Sequence, residues 1–138
     1  MIVLDRVELE DVERVWPHVA DHIKAGCDAV TTAITPEWIK AEALADRRTL
    51  WVVFDTDSPF PFLAAASVGQ RMTNHGLVVF VEALGGRERE RWLGECFAEL
   101  EAQAKAAGAV KMELEGRLGW QRVLPGYRLA RVVLEKAL

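Results

Sequence analysis

The densest chemistry in the sequence is the run Glu82–Arg91, EALGGRERER. It follows an apolar stretch, Leu77–Val81 (LVVFV), and precedes a run with Trp92, Leu93, Cys96, Phe97, Leu100 and Ala104 at helical spacing. A strand that turns into a helix presents unpaired backbone N–H groups and a partial positive charge, a setting that suits a phosphate. Gly85 and Gly86 allow a ligand close to the backbone, and Arg87, Arg89 and Arg91 add charge around the same turn. The spacing matches neither GxGxxG nor GxxxxGK[ST], so a dinucleotide or nucleoside triphosphate is not expected. A tight turn followed by a solvated Arg/Glu helix face fits the same residues, and the sequence leaves both readings open.

Glu82 stands at the end of the apolar run between Val81 and Leu84. Partial burial there favours the protonated carboxyl and brings it toward the range of a general base, while a partly exposed strand-end acid or a helix-cap partner is the plainer alternative. His18 and His22 share a helix face at a spacing that can chelate a metal. They lack a third ligand and the HExxH pattern, so no metal is expected. Cys96 falls on an apolar stripe, where an inert thiol is usual, and Cys27 stands alone with no CxxC. Ser67 has no base that the sequence identifies, and Trp120, between Gly119 and Gln121, is expected to line a pocket.

These residues need a scaffold. Ile2–Val7 reads as a strand, and Val12, Val15, Trp16, Val19 and Ile23 recur as one face of a helix expected to end near Gly26. Thr35-Pro36-Glu37 marks a second helix start, with Thr as cap and Pro in the first turn. Leu50–Phe54, residues 62–70 and Leu77–Val81 are strands, with turns at Asp55–Pro59 and Thr73–Gly76. A long helix ends at Gly108, Val110–Leu114 alternates as a strand, residues 117–124 form a short helix, and Tyr127–Glu135 is a last strand. The order is β-α-α-β-β-β-α-β-α-β. It predicts an α/β (α+β) fold with a mixed, mostly antiparallel sheet of about six strands between flanking helices. Leu77–Val81 and Val110–Leu114 should lie side by side in parallel, because one long helix connects them.

The chain has 138 residues, 51% hydrophobic and 28% charged, which is the scale of a single domain, 1–138. No apolar run reaches the roughly 18 residues of a spanning helix, and the acidic opening is unlike an export signal, so a cytoplasmic protein without a membrane partner is expected. The net charge of −4 argues against nucleic acid as a partner. Residues 1–60 hold 6 bases against 12 acids and residues 110–138 hold 6 against 3, which predicts two faces with different partners.

The element order together with the 82–91 junction resembles the GNAT superfamily of N-acetyltransferases over nearly the whole chain. The segment Glu115-Gly116-Arg117-x-Gly119-Trp120-x-Arg122-Val123-Leu124 is also similar to small GNAT-like proteins of phage and prophage gene clusters. The resemblance implies acetyl transfer from acetyl-CoA to a small-molecule or peptide amine in a ternary complex, and admits a homodimer. It places coenzyme A against Leu84, Gly85, Gly86, Arg87, Glu88, Arg89, Arg91 and Arg122, a base at Glu82, and an oxyanion donor on the backbone of the fourth strand. The family loop, R/Q-x-x-G-x-G/A, is represented here by Gly85–Glu90, with charged residues at its later glycines. The family's tyrosine acid, four residues before a Gly-aromatic pair, falls on Arg122 ahead of Gly126-Tyr127. These departures imply an alternative, the same fold kept as a binding or assembly module. Asp21, Asp28 and Glu37 near the expected acceptor region would favour a cationic amine.

Overall fold

In a computed structural model, which describes residues 1–30 and 34–138, the apolar runs assemble into a single five-stranded sheet. The strands are β1 (Ile2–Arg6), β2 (Thr49–Asp55), β3 (Phe62–Thr73), β4 (Gly76–Gly86) and β5 (Ala109–Leu114), in that spatial order. Neighbours from β1 to β4 pair antiparallel, and β4 and β5 pair in parallel from Leu77 and Ala109 to Val81 and Leu114. The helices are α1 (Val12–Asp28), α2 (Pro36–Leu44), α3 (Leu93–Ala106) and the short α4 (Trp120–Val123). The parallel pair is thus the one expected from the long helix between its strands.

The alternation of strand side chains divides the core in two. Leu50, Val52 and Ala65 face α1 and α2, joining Val15, Val19, Ile23 and Ile39. Val53, Ala64, Val68, Val79 and Val81 face the opposite way, toward Trp92, Leu93, Cys96, Phe97, Leu100 and Ala104. The helical stripe read from the sequence is therefore the buried face of α3. Thr35 caps α2, its Oγ1 accepting from the Trp38 N–H at 3.2 Å.

Three expectations are corrected. The sheet has five strands rather than about six, because residues 127–138 make no ladder and stand largely exposed. Gly85 and Gly86 lie within β4 rather than in a turn, and the long helix begins only at Leu93, after a 3-10 turn at Arg89–Arg91. Gly26 does not end α1 but sits inside it.

That last difference has a packing cause. β4 bulges at Ala83, which adopts φ +54°, and the β3–β4 register shifts between Ala65 and Ser67. α1 lies directly on the bulge. A Cβ at Gly26 would overlap the Ala83 carbonyl, and one at Gly85 would overlap the His22 carbonyl. Two glycines, one on each element, let helix and strand touch backbone to backbone. Alanine at a helix interior normally stabilises relative to glycine by about 1 kcal/mol. At Gly26 the sign should reverse: Gly26→Ala should lose about 1–3 kcal/mol in urea unfolding, as overpacking does.

Candidate functional site

The β3–β4 register brings Ser67 opposite Glu82 and Gly69 opposite Phe80, on the face covered by α1 and α2. Glu82 is 4% exposed. Its Oε1 accepts from Arg48 Nε at 2.7 Å and from the Ser67 hydroxyl at 3.1 Å. Among the described residues Oε2 takes no hydrogen-bond donor. One oxygen is held by two donors and the other by none of the described residues.

Arg48 is itself held by its surroundings. Its guanidinium lies 5.4 Å from the Trp38 ring and 4.9 Å from the Phe80 ring, and its Nη1 donates to the Arg47 carbonyl at 3.0 Å. Gly69 makes room for the arrangement, since a Cβ there would meet both the Phe80 ring and Arg48 Cδ. On the other side of Phe80, Arg71 lies 5.4 Å from the ring and binds both oxygens of Glu113, which also accepts from Arg131 at 2.7 Å. Arg71 foremost, with Arg131, holds the Glu113 carboxyl at a pKa of about 2, against the opposing effect of burial.

Beside this cluster the sheet parts. The last β4–β5 pair is Val81–Leu114, and the Glu115 N–H still donates to the Val81 carbonyl at 3.0 Å. β4 continues alone to Gly86 while the chain after β5 turns away through Gly116 into α4. Glu82 is the first residue beyond the parting. Leu84, half-buried, packs toward the α3 clusters with Leu114 and Trp120.

The 85–91 segment is more committed to the protein than its sequence implies. A Cβ at Gly86 would overlap Ala64 and the Leu63 carbonyl, so both glycines of the pair fit against the chain's own atoms. The Arg87 N–H donates to the Leu63 carbonyl at 2.8 Å, and its guanidinium binds Glu88 and the Phe60 carbonyl. Arg91 binds Asp55 at 2.7 Å and Glu88 at 3.3 Å. Glu88, at φ +53°, therefore accepts from two arginines. Trp92 pins the turn, its indole N–H donating to the Arg87 carbonyl at 2.9 Å. Arg89 is different: it lies 5.8 Å from the half-buried Trp120 ring. The N–H groups of Glu88 and Arg89 take no backbone acceptor among the described residues, and Gly94, in the first turn of α3, faces open space.

The remaining candidates are placed as follows. Arg122 is exposed on α4. Tyr127 packs edge-on against Phe97 of α3, on the opposite face of the sheet from Glu82, and burial raises the pKa of its hydroxyl. His18 stacks on Phe62, and His22 Nε2–H donates to the Phe62 carbonyl at 3.0 Å. Burial pushes the Cys96 thiol up to about 11. Asp28 is paired with Lys24 at 2.7 Å. Sequence reasoning missed Arg48, Trp38 and Gly69, and did not join Ser67 to Glu82. The one available signal was Gly69 within a strand, a mark of close approach by another group.

No family model and no curated protein matches the sequence. Solved structures do match its fold. A GCN5-related N-acetyltransferase from Ralstonia eutropha is 14% identical, with 99% of each chain covered and a TM-score of 0.68. Glucosamine-6-phosphate N-acetyltransferase from Arabidopsis thaliana is 16% identical over 99% of this chain and 98% of that one, with a TM-score of 0.61. A predicted acetyltransferase from Clostridium acetobutylicum, solved with acetyl-CoA, is 13% identical over 99% of this chain and 96% of that one, with a TM-score of 0.59. The chain has the fold of the GNAT acetyltransferases.

Two predictions follow from the charges. Arg48→Ala strands a buried carboxylate and should cost about 3–5 kcal/mol in chemical unfolding. Arg48→Met combined with Glu82→Leu should be far less destabilising than the two single losses summed. Asp55, buried and bound first by Arg91 and then by the Asp57 N–H, has a pKa lowered to about 2. A depressed carboxylate stabilises the fold above its unfolded pKa and loses that contribution as pH falls through its folded one. Thermal unfolding of Asp55→Asn should therefore show a shallower decline between about pH 4 and pH 2 than the unmodified protein.

Proposed function

We propose that this chain is an N-acetyltransferase that moves acetyl from acetyl-CoA to an amine acceptor by direct transfer in a ternary complex. The observation that carries the reading is the parting of β4 from β5 at Val81, with the Glu82 carboxylate immediately beyond it. In this reading, acetyl-CoA supplies the thioester when bound. The free N–H groups of Glu88 and Arg89, the Arg89 guanidinium and the open first turn of α3 at Gly94 hold its pyrophosphate. These groups fit an anion. Gly85 and Gly86 serve the fold, and Arg87 and Arg91 reach a ligand only by giving up partners inside the protein.

Glu82 Oε2 takes a proton from the acceptor ammonium, and the freed amine nitrogen attacks the thioester carbonyl carbon. The C–N bond forms, the C–S bond breaks, the nitrogen gives up its second proton to solvent as the amide forms, and the departing thiolate is protonated by solvent, since Tyr127 lies across the sheet. A backbone N–H at the β4 bulge stabilises the oxyanion. Arg48 and Ser67 keep the carboxylate aimed, and positioning of the two substrates supplies much of the rate.

A second reading, a binding or assembly module in the same fold, is favoured by the internal pairing of Arg87 and Arg91 and by Arg122 in place of a tyrosine. Isothermal titration with acetyl-CoA separates the two. Saturable heat supports the transferase, and no heat up to millimolar ligand supports the module. Glu82→Gln should then slow acetyl transfer about 100-fold while coenzyme A affinity is retained. Turnover unchanged by that substitution across about pH 6–9 would give the base to another group.

A further inference from the structure

The sheet face toward α1 and α2 carries charges in a definite order. Strand register sets its side chains in rows. Arg71 of β3 lies opposite Val78 of β4, which lies beside Lys111 of β5. The next row is Gly69, Phe80 and Glu113, and the next Ser67 and Glu82. Glu115 follows at the parting, its N–H still tied to the Val81 carbonyl. Bases therefore stand at one end of the face and carboxylates at the other, with Phe80 between them. Successive rows are about 7 Å apart.

The basic end is open. Arg71, Phe80, Lys111, Glu113 and Arg131 line part of an open cavity of about 1070 Å³. Six basic and four acidic residues line it among those described, in a chain whose net charge is −4. On its sheet wall Glu113 faces three cations: Arg131 at 2.7 Å, Arg71 at 2.8 Å and Lys111 at 3.6 Å. Arg71 uses only Nη2 on that carboxylate, and its Nε and Nη1 donors meet no acceptor among the described residues. One acid does not neutralise three bases, so the wall stays positive. Asp21, Asp28 and Glu37, the acids that would favour a cationic acceptor, lie outside the cavity, and Asp28 is paired with Lys24.

We infer that the acceptor is an amine that also carries an acidic group, a carboxylate or phosphate, roughly 7–10 Å from its nitrogen. The role of the amine rests on the transferase reading, whereas the acid subsite rests on its own charges. The ammonium meets Glu82 at the parting, the skeleton passes Phe80, and the acid meets Arg71 and Lys111, with Arg131 beside it. Glu113 occupies part of the subsite as an internal competitor. A neutral or cationic tail of the same length leaves the bases unanswered.

Three probes of one length test this: 6-aminohexanoate, its neutral counterpart 6-aminohexanamide, and 1,6-diaminohexane. In isothermal titration of the full chain the acid should bind at least about 10-fold more tightly than either of the others, and the preference should shrink at high salt. A parallel titration with 5-aminopentyl phosphate distinguishes phosphate from carboxylate. With acetyl-CoA present, kcat/KM should rank the probes in the same order. Arg71→Gln and Lys111→Gln should each bring the acid-to-amide ratio toward one, and Glu113→Gln, which removes the competitor, should raise it. A merely structural role for these residues would move all probes together. If Arg71→Gln fails to fold, the exposed Lys111 decides through its own variant. Equal affinity for the three probes, tighter binding of the diamine, or no binding of either acid would overturn the subsite. Transfer to the amide or diamine as efficient as to the acid would overturn it too, while the transferase reading stands. A chain that binds the acid with this preference yet gives no heat with acetyl-CoA keeps the subsite and loses the transferase reading.

Discussion

The direct contact of α1 with the bulged end of β4 is the constraint on which the rest of the site depends. A helix normally rides on a sheet at a distance set by side chains, but here Gly26 and Gly85 remove them at the meeting point. The bulge at Ala83 tilts the strand end, and a non-glycine residue holds a positive φ to do so. The approach carries His22 to the Phe62 carbonyl and draws Cys27 and Ala83 into one cluster. The strand end is held on one face by α1 and along one edge by β3 as far as Gly86, while β5 leaves its other edge at Leu114.

Charge is used in this structure chiefly to hold segments in place. Arg91 fastens the 3-10 turn to Asp55 at the end of β2, and Arg87 fastens it to the β2–β3 connection at Phe60. Arg48 crosses from the connection just before β2 to Glu82 in β4 between two aromatic faces, where the planar guanidinium can stack and donate at once, which a lysine cannot do. Arg89, stacked on Trp120, remains available to an anion at the start of α3. The uneven distribution of acids and bases along the sequence thus resolves into cross-links between distant elements, such as Asp55 with Arg91 and Glu113 with Arg71 and Arg131.

The strands and helices were legible wherever one periodicity dominated. The stripe from Trp92 to Ala104 and the run Leu77–Val81 each had a single interpretation, and together they implied the parallel pair. The segment 127–135 has the composition of a strand but makes no ladder, because composition does not say whether a sheet edge is there to pair with. The glycines were harder. The 85–86 pair announced close approach without saying whether the approaching group was a ligand or a helix, and Gly26 reads in the sequence as a helix end. The partners of Glu82 were invisible for a plainer reason: Arg48 lies 34 residues away and Ser67 15. Only the hairpin register between β3 and β4 makes them neighbours.

The β3–β4 hairpin also bears on how the chain reaches this structure. Thr73 and Gly76 close it locally, so its strands meet at little loop entropy, whereas β1 must wait for a partner some fifty residues downstream and β5 for a whole helical crossover. Low sequence separation favours early pairing. The hairpin is accordingly the natural nucleus, and it already contains Ser67, Gly69, Phe80, Glu82 and the bulge. The carboxylate and its hydroxyl donor would be aligned in the folding transition state, before the outer strands are in place. Substitutions near Gly76 would slow folding, whereas changes along β1 would mainly hasten unfolding.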